Sequence, residues 1–158
     1  MWSNIYQLSL TQREIYYDQL LHPETPIYNI GAKIEVNGDL DVEIFRKAVQ
    51  LLVKQHDALR SVITFVNEMP HINVLSNAEA DVFYRDFSKC KDPVSSAEKF
   101  IQEEFVKLFD LTGKTLLNSY YLLKIGPSRS VFVAKYHHLI VDGWSTALLF
   151  NRLSDNYT

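Results

Sequence analysis

The chain has 158 residues, 47% of them hydrophobic and 22% charged, which suits a single globular domain with one core. A formal net charge of −3 and the lack of any Lys/Arg block exclude the cationic excess that phosphate binding demands, so nucleic acid is not an expected partner. The lone Cys90 forms no internal disulfide, Met1-Trp2-Ser3-Asn4 has no basic region feeding an apolar stretch, and the apolar run from Leu139 to Phe150 is broken by Asp142, Gly143, Ser145 and Thr146; the expectation is a cytoplasmic protein without a membrane span.

In chain order, Ser9 or Thr11 caps a first helix carrying Ile15, Tyr16 and Leu20, which ends near His22 because Pro23 and Pro26 forbid its continuation. From Tyr28 to Val36, apolar Ile30, Ala32, Ile34 and Val36 alternate with more polar residues and run into Asn37-Gly38, which predicts a strand ending in a turn. Asp41 is an N-cap, Leu40 is placed to staple against Phe45, and Phe45, Ala48, Val49, Leu52 and Val53 recur at helical spacing up to His56–Leu59. Ser61 to Phe65 and Ile72 to Leu75 are short strands around a turn at Asn67 to Pro70, and Val82 to Asp86 is another strand.

Asp92-Pro93 supplies the cap and first turn of a third helix, with Phe100, Ile101, Glu104, Phe105 and Leu108 along its stripe. Leu116 to Ile125 and Val131 to His137 form two strands joined through Gly126-Pro127-Ser128-Arg129, and Trp144 to Leu153 is a final helix. Helices mixed with hairpin-linked strands predict an α/β sandwich with a mixed, largely antiparallel sheet and flanking helices, not a doubly wound parallel sheet.

Tyr136-His137-His138-Leu139-Ile140-Val141-Asp142-Gly143 falls where a strand ends and a helix is about to begin, a place where polar side chains converge on a cleft. Two histidines and a carboxylate form a known iron ligand set, but adjacent strand residues point to opposite faces, so His137 and His138 are badly placed to grip one ion, and no metal is expected. The same alternation suggests that one imidazole faces the reaction cleft while the other packs. Asp142, in a turn, is read as fixing architecture through an arginine or a backbone N–H. Gly143 removes a Cβ and permits close approach of substrate or backbone.

This pattern resembles the His-His-x-x-x-Asp-Gly motif of the condensation domains of nonribosomal peptide synthetases. Leu8-Ser9-Leu10-Thr11-Gln12-Arg13-Glu14-Ile15 is similar to that family's opening Ser-x-x-Gln motif, Gln55-His56-Asp57-Ala58-Leu59-Arg60-Ser61 to its His-Glu-x-Leu-Arg-Thr motif, and Tyr28-Asn29-Ile30 to a triplet often found there. Two departures stand out: Asp57 replaces the usual glutamate, and after Phe109-Asp110-Leu111 the expected Gly-Pro and arginine are replaced by Lys114-Thr115 and Asn118.

The resemblance implies a chloramphenicol acetyltransferase-like lobe over residues 1–158, the N-terminal half of a V-shaped domain whose C-terminal lobe this chain lacks. It implies amide formation between a donor acyl thioester and an acceptor aminoacyl amine, both delivered on the phosphopantetheine arms of carrier domains, with no cofactor bound directly. His138 and Gly143 would be catalytic, His138 beside the attacking nitrogen; His137, Asp142 and Arg60 would be structural, with an Asp142–Arg60 ion pair. Other readings are an ester-forming acyltransferase of the same superfamily, an epimerase-type relative and a non-catalytic recruitment module. Met1 lies close to the first motif, so the donor is expected to arrive in trans or as an acyl starter, and the surface left by the absent lobe favours self-association of the isolated lobe.

Overall fold

A computed structural model describes residues 4–158, so the reading of Met1–Ser3 lies outside the described residues. The elements are β1 (Ile5–Gln7), α1 (Leu10–Leu21), β2 (Asn29–Asn37), α2 (Val42–Gln55), β3 (Ser61–Val66), β4 (Met69–Val74), β5 (Val82–Asp86), α3 (Pro93–Phe105), β6 (Asn118–Gly126), β7 (Arg129–His137) and α4 (Gly143–Tyr157), with a 3-10 turn at Asp57–Arg60. One sheet has the order β2-β7-β6-β5 and a smaller one the order β1-β4-β3. All pairings are antiparallel except β5 with β6.

Both faces of the larger sheet are covered, and β7 is buried from Ser130 to His137. Phe132, Ala134 and Tyr136 point towards α2 and α4, where they join Phe45, Val49, Leu52, Leu149 and Leu153 in one cluster. Val131 and Val133 point the other way, with Leu123 and Ile125 of β6, against Ala97, Phe100 and Ile101 of α3. A strand buried on both faces loses the simple apolar–polar alternation. Lys135 and His137 occupy the α3 side of the same strand, buried polar residues next to Val131 and Val133. A third cluster joins α1 and the small sheet through Leu8, Ile15, Tyr16, Ile63, Ile72 and Leu139.

Local chemistry sets the element ends. Ser9, not Thr11, caps α1 in a reciprocal capping box with Gln12. Asp41 caps α2 through Glu43 and Ile44 N–H, and Leu40 packs on the cluster holding Phe45. The α3 helix starts at Pro93 behind the Asp92 cap but stops at Phe105, which leaves Leu108 outside it and exposed.

The β3–β4 turn is tighter than the sequence predicts: Asn67 and Glu68 alone form it, both at positive φ, and the strand resumes at Met69. Pro70 therefore lies within β4. It is tolerated because β1 pairs only with His71, Ile72 and Asn73, so the missing N–H of Pro70 faces no partner strand on that side. Strand β1 itself was not predicted, since three half-exposed residues carry no readable period.

Candidate active site

The loop after β7 carries the histidine motif and ties the clusters together: Leu139 belongs to the α1 cluster, Val141 to the α2/α4 cluster, and Ile140 touches both. Its backbone is held at each step. His137 N–H donates to Leu117 O at 2.9 Å, His138 N–H to Tyr28 O at 2.9 Å and Ile140 N–H to His137 O at 3.1 Å.

His137 is 1% exposed. Its Nδ1 accepts from Leu139 N–H at 3.2 Å, which assigns the remaining ring proton to Nε2. The ring centroid lies 6.1 Å from those of both Tyr28 and Phe109. Burial, followed by the neighbouring His138, lowers its pKa to about 4, so the ring is neutral near pH 7. His138 is half-buried, in the turn just beyond the strand, with its ring edge-on to Tyr28 at 6.5 Å. Of the two imidazoles it is the one with access to solvent.

Asp142 is exposed and caps α4: Oδ1 accepts from Ser145 N–H at 2.7 Å, and its carbonyl accepts from Thr146 N–H and Thr146 Oγ1. Hydrogen bonding by Ser145, ahead of its electrostatic attraction to His138, lowers the carboxyl pKa. The expected Asp142–Arg60 ion pair does not form. Arg60 pairs instead with Asp57, three residues earlier on the same 3-10 turn, and donates to Leu75 O at the end of β4. The physical reason is proximity on both sides: each group already has a local partner, Asp142 in the first turn of α4 and Arg60 in its own turn. Gly143 is the first residue of α4 and exposed, with no atom within 4 Å of where a Cβ would stand.

Lys135 escaped the sequence reading, which also gave Asn29 no role beyond its place in the Tyr28-Asn29-Ile30 triplet. Lys135 is buried two positions before His137; its Nζ donates to Glu104 O at 2.9 Å and to Lys107 O, and stands 4.6 Å from the centre of the Phe109 ring. Asn29 Nδ2 joins it, donating to Phe105 O at 2.7 Å and Lys107 O at 2.9 Å. Together they donate to the carbonyls of Glu104, Phe105 and Lys107 at the end of α3 and hold the segment that leads to Phe109. Burial lowers the Lys135 pKa to about 8. The signal for Lys135 was a cation inside an apolar strand, legible only once both faces of β7 are known to be covered.

Asn118, at the position where an arginine was expected, donates from Nδ2 to Leu59 O at 2.7 Å, anchoring the start of β6 to the 3-10 turn. It also lines a cleft of about 740 Å³ with Asn77, Asp110, Lys114 and Tyr120; Phe109 is the wall between this cleft and His137, and none of His137, His138, Asp142 or Gly143 lines it. Among the described residues no group of three His, Cys, Asp or Glu is placed to hold a metal ion. Nor, among the described residues, is any helix long and apolar enough to cross a membrane.

The larger sheet thus places the histidine motif at and just beyond the end of β7, one of its two inner strands. The Condensation domain family model matches residues 2–158, and the chain belongs to that family. It is 30% identical over 155 residues to a dimodular nonribosomal peptide synthase of Bacillus subtilis (strain 168), covering 97% of this chain and 6% of the relative. It is 34% identical over 152 residues to tyrocidine synthase 3 of Brevibacillus parabrevis, covering 96% of this chain and 2% of that protein.

Among solved structures, the starter condensation domain of the rhizomide synthetase RzmA superposes with a TM-score of 0.91 at 25% identity, over 97% of this chain and 37% of that one. The first condensation domain of the calcium-dependent antibiotic synthetase superposes with a TM-score of 0.87 at 24% identity, over 95% of this chain and 36% of that one. The chain thus spans little more than a third of the solved domains and a few hundredths of the synthetases.

Proposed function

We propose that this chain is the N-terminal lobe of a condensation domain that forms an amide bond between a donor acyl or peptidyl thioester and the amine of an acceptor aminoacyl group. The observation that carries the reading is His138, half-buried on a turn whose backbone is fixed on either side, in a chain that matches the family along its length. Both substrates would arrive on phosphopantetheine arms of carrier domains in the cytoplasm, and no directly bound cofactor is needed. A mutant of the rhizomide starter domain was solved with C8-CoA, which supports a thioester-type donor for this fold.

In the proposed reaction the amine nitrogen attacks the thioester carbonyl, the carbon–sulfur bond breaks and the thiol leaves with a proton. His138 stands beside the attacking nitrogen. A free α-amino group with a pKa of about 8 is already partly neutral near pH 7, so positioning the amine or taking up its proton in the tetrahedral species serves as well as general-base action. Neutral, buried His137 supports the loop from behind, Asp142 starts α4, and Gly143 leaves clearance for the thioester carbonyl or offers it a backbone N–H.

The second lobe would close the substrate passage over this surface. Trp144, 80% exposed, and Leu148 share one face of α4 and are suited to being covered by it; in the isolated lobe they favour self-association, and the lobe alone would be inactive. The test is to supply the complete protein with loaded donor and acceptor carriers and analyse the products. Amide on the acceptor carrier is expected. Ester formed with an alcohol, or racemisation without a second substrate, would replace this reading with one of the other superfamily activities.

A further inference from the structure

We infer that Gln12 is a positioning residue for His138, acting from the first turn of α1 through the main chain of the loop. The inference rests on the proposed function. Gln12 uses both ends of its side-chain amide. Oε1 accepts from Ser9 N–H at 3.0 Å, closing the capping box, while Nε2 donates to Leu139 O at 2.9 Å, across 127 residues of sequence. A capping box needs only the acceptor, and glutamate fills that place as well as glutamine does. The N–H that reaches Leu139 is the part the helix does not need.

Leu139 directly follows His138, and the surrounding bonds explain why its carbonyl matters. Tyr28 O fixes the His138 amide, and His137 fixes the Leu139 amide through Nδ1 and the Ile140 amide through its carbonyl. The Leu139 carbonyl is held by Gln12. All these other anchors lie at the β7 end of the loop or beside the start of β2; the tether from α1 stops the turn from swinging away from the small-sheet side. The Leu139 side chain is buried among Leu8, Ile15 and Tyr16, so α1 and the loop already pack, and the hydrogen bond sets the orientation of the peptide within that contact. An error of about 1 Å in placing a reacting group costs on the order of 100-fold in rate, so a modest contact leaves a large kinetic trace.

Two variants of the complete protein separate the tether from the helix cap. Gln12→Glu keeps the acceptor for Ser9 N–H but sets a carboxylate against the Leu139 carbonyl; Ser9→Ala removes the hydroxyl that caps Gln12 N–H and leaves the tether in place. With loaded carriers, Gln12→Glu is expected to lower kcat by about 10-fold or more with KM within about twofold, while Ser9→Ala keeps its kcat and loses thermal stability. Hydrogen exchange of peptides covering residues 137–141 is expected to quicken in Gln12→Glu and not in Ser9→Ala. Unchanged kcat in Gln12→Glu, a change confined to KM, or equal kcat losses in both variants would overturn the inference. If the wild type makes no amide, the proposed function fails on its own, and exchange over residues 137–141 still decides the tether: rates unaltered by Gln12→Glu refute it.

Discussion

The Leu139 amide donates to Nδ1 of His137, so the first histidine of the pair is held by the residue that follows the second. This bond needs a bare Nδ1. Burial of the ring, and after it the neighbouring His138, lower the pKa from the ordinary 6.5 to about 4, which keeps Nδ1 bare.

Acid stability follows from that shift. The folded pKa is depressed, so between about pH 6.5 and pH 4 the unfolded chain binds a proton that the folded one does not, and stability drops as pH falls through this window. The full window corresponds to about 3 kcal/mol. His56, its pKa lowered first by burial and then by Arg152, acts with the same sign. Urea unfolding at pH 7 and pH 4.5 is expected to show this loss, and His137→Gln to flatten it without abolishing it; equal slopes for variant and wild type would remove His137 from the account.

Asp142 acts on the fold as a helix cap. Asp142→Ala is expected to cost about 1 kcal/mol and Asp142→Asn much less, because asparagine also accepts from the Ser145 amide. Since Arg60 is engaged with Asp57 and Leu75, a double-mutant cycle between Arg60 and Asp142 is expected to be additive within about 0.5 kcal/mol. Coupling well above that would restore the ion pair that the motif led us to expect.

Gly143 has open space where a Cβ would go. Gly143→Ala is therefore expected to leave the melting temperature unchanged or slightly raised, by less than about 1 kcal/mol in stability, while amide formation falls. A fully active variant would show that this position neither contacts the thioester nor limits its approach.

The clamp on α3 is a matter of stability. Lys135→Ala removes one donor each from Glu104 O and Lys107 O, which keep Lys107 N–H and Asn29 Nδ2 respectively, and opens space beneath Phe109, at a cost of about 2–3 kcal/mol in chemical unfolding. Asn29→Ala acts on the neighbouring carbonyls, so the two substitutions should not be additive. Additive losses would mean that they do not work as one unit.

These residues also show what the sequence could carry. Caps at Ser9, Asp41 and Asp92 and the helical spacing of Phe45, Val49 and Leu52 are local signals, and the corresponding helices formed where local chemistry put them. The motifs around His137 and Arg60 were visible through their resemblance to those of condensation domains. Partners across the fold were not: Gln12 reached Leu139 and Lys135 found the end of α3, each settled by packing that no short window contains, while Arg60 took Asp57 in its own turn where the motif had pointed to Asp142. Strand β1 escaped for the same reason, since it exists only through its pairing with β4.

The most direct measurement is the single-turnover rate of amide formation by the complete protein with loaded donor and acceptor carriers, wild type against His138→Ala, with melting curves to show that both are folded. The account predicts a loss of about 10²- to 10⁴-fold in the folded variant, the range of acid–base help. A folded His138→Ala protein that condenses its substrates at the wild-type rate would contradict it.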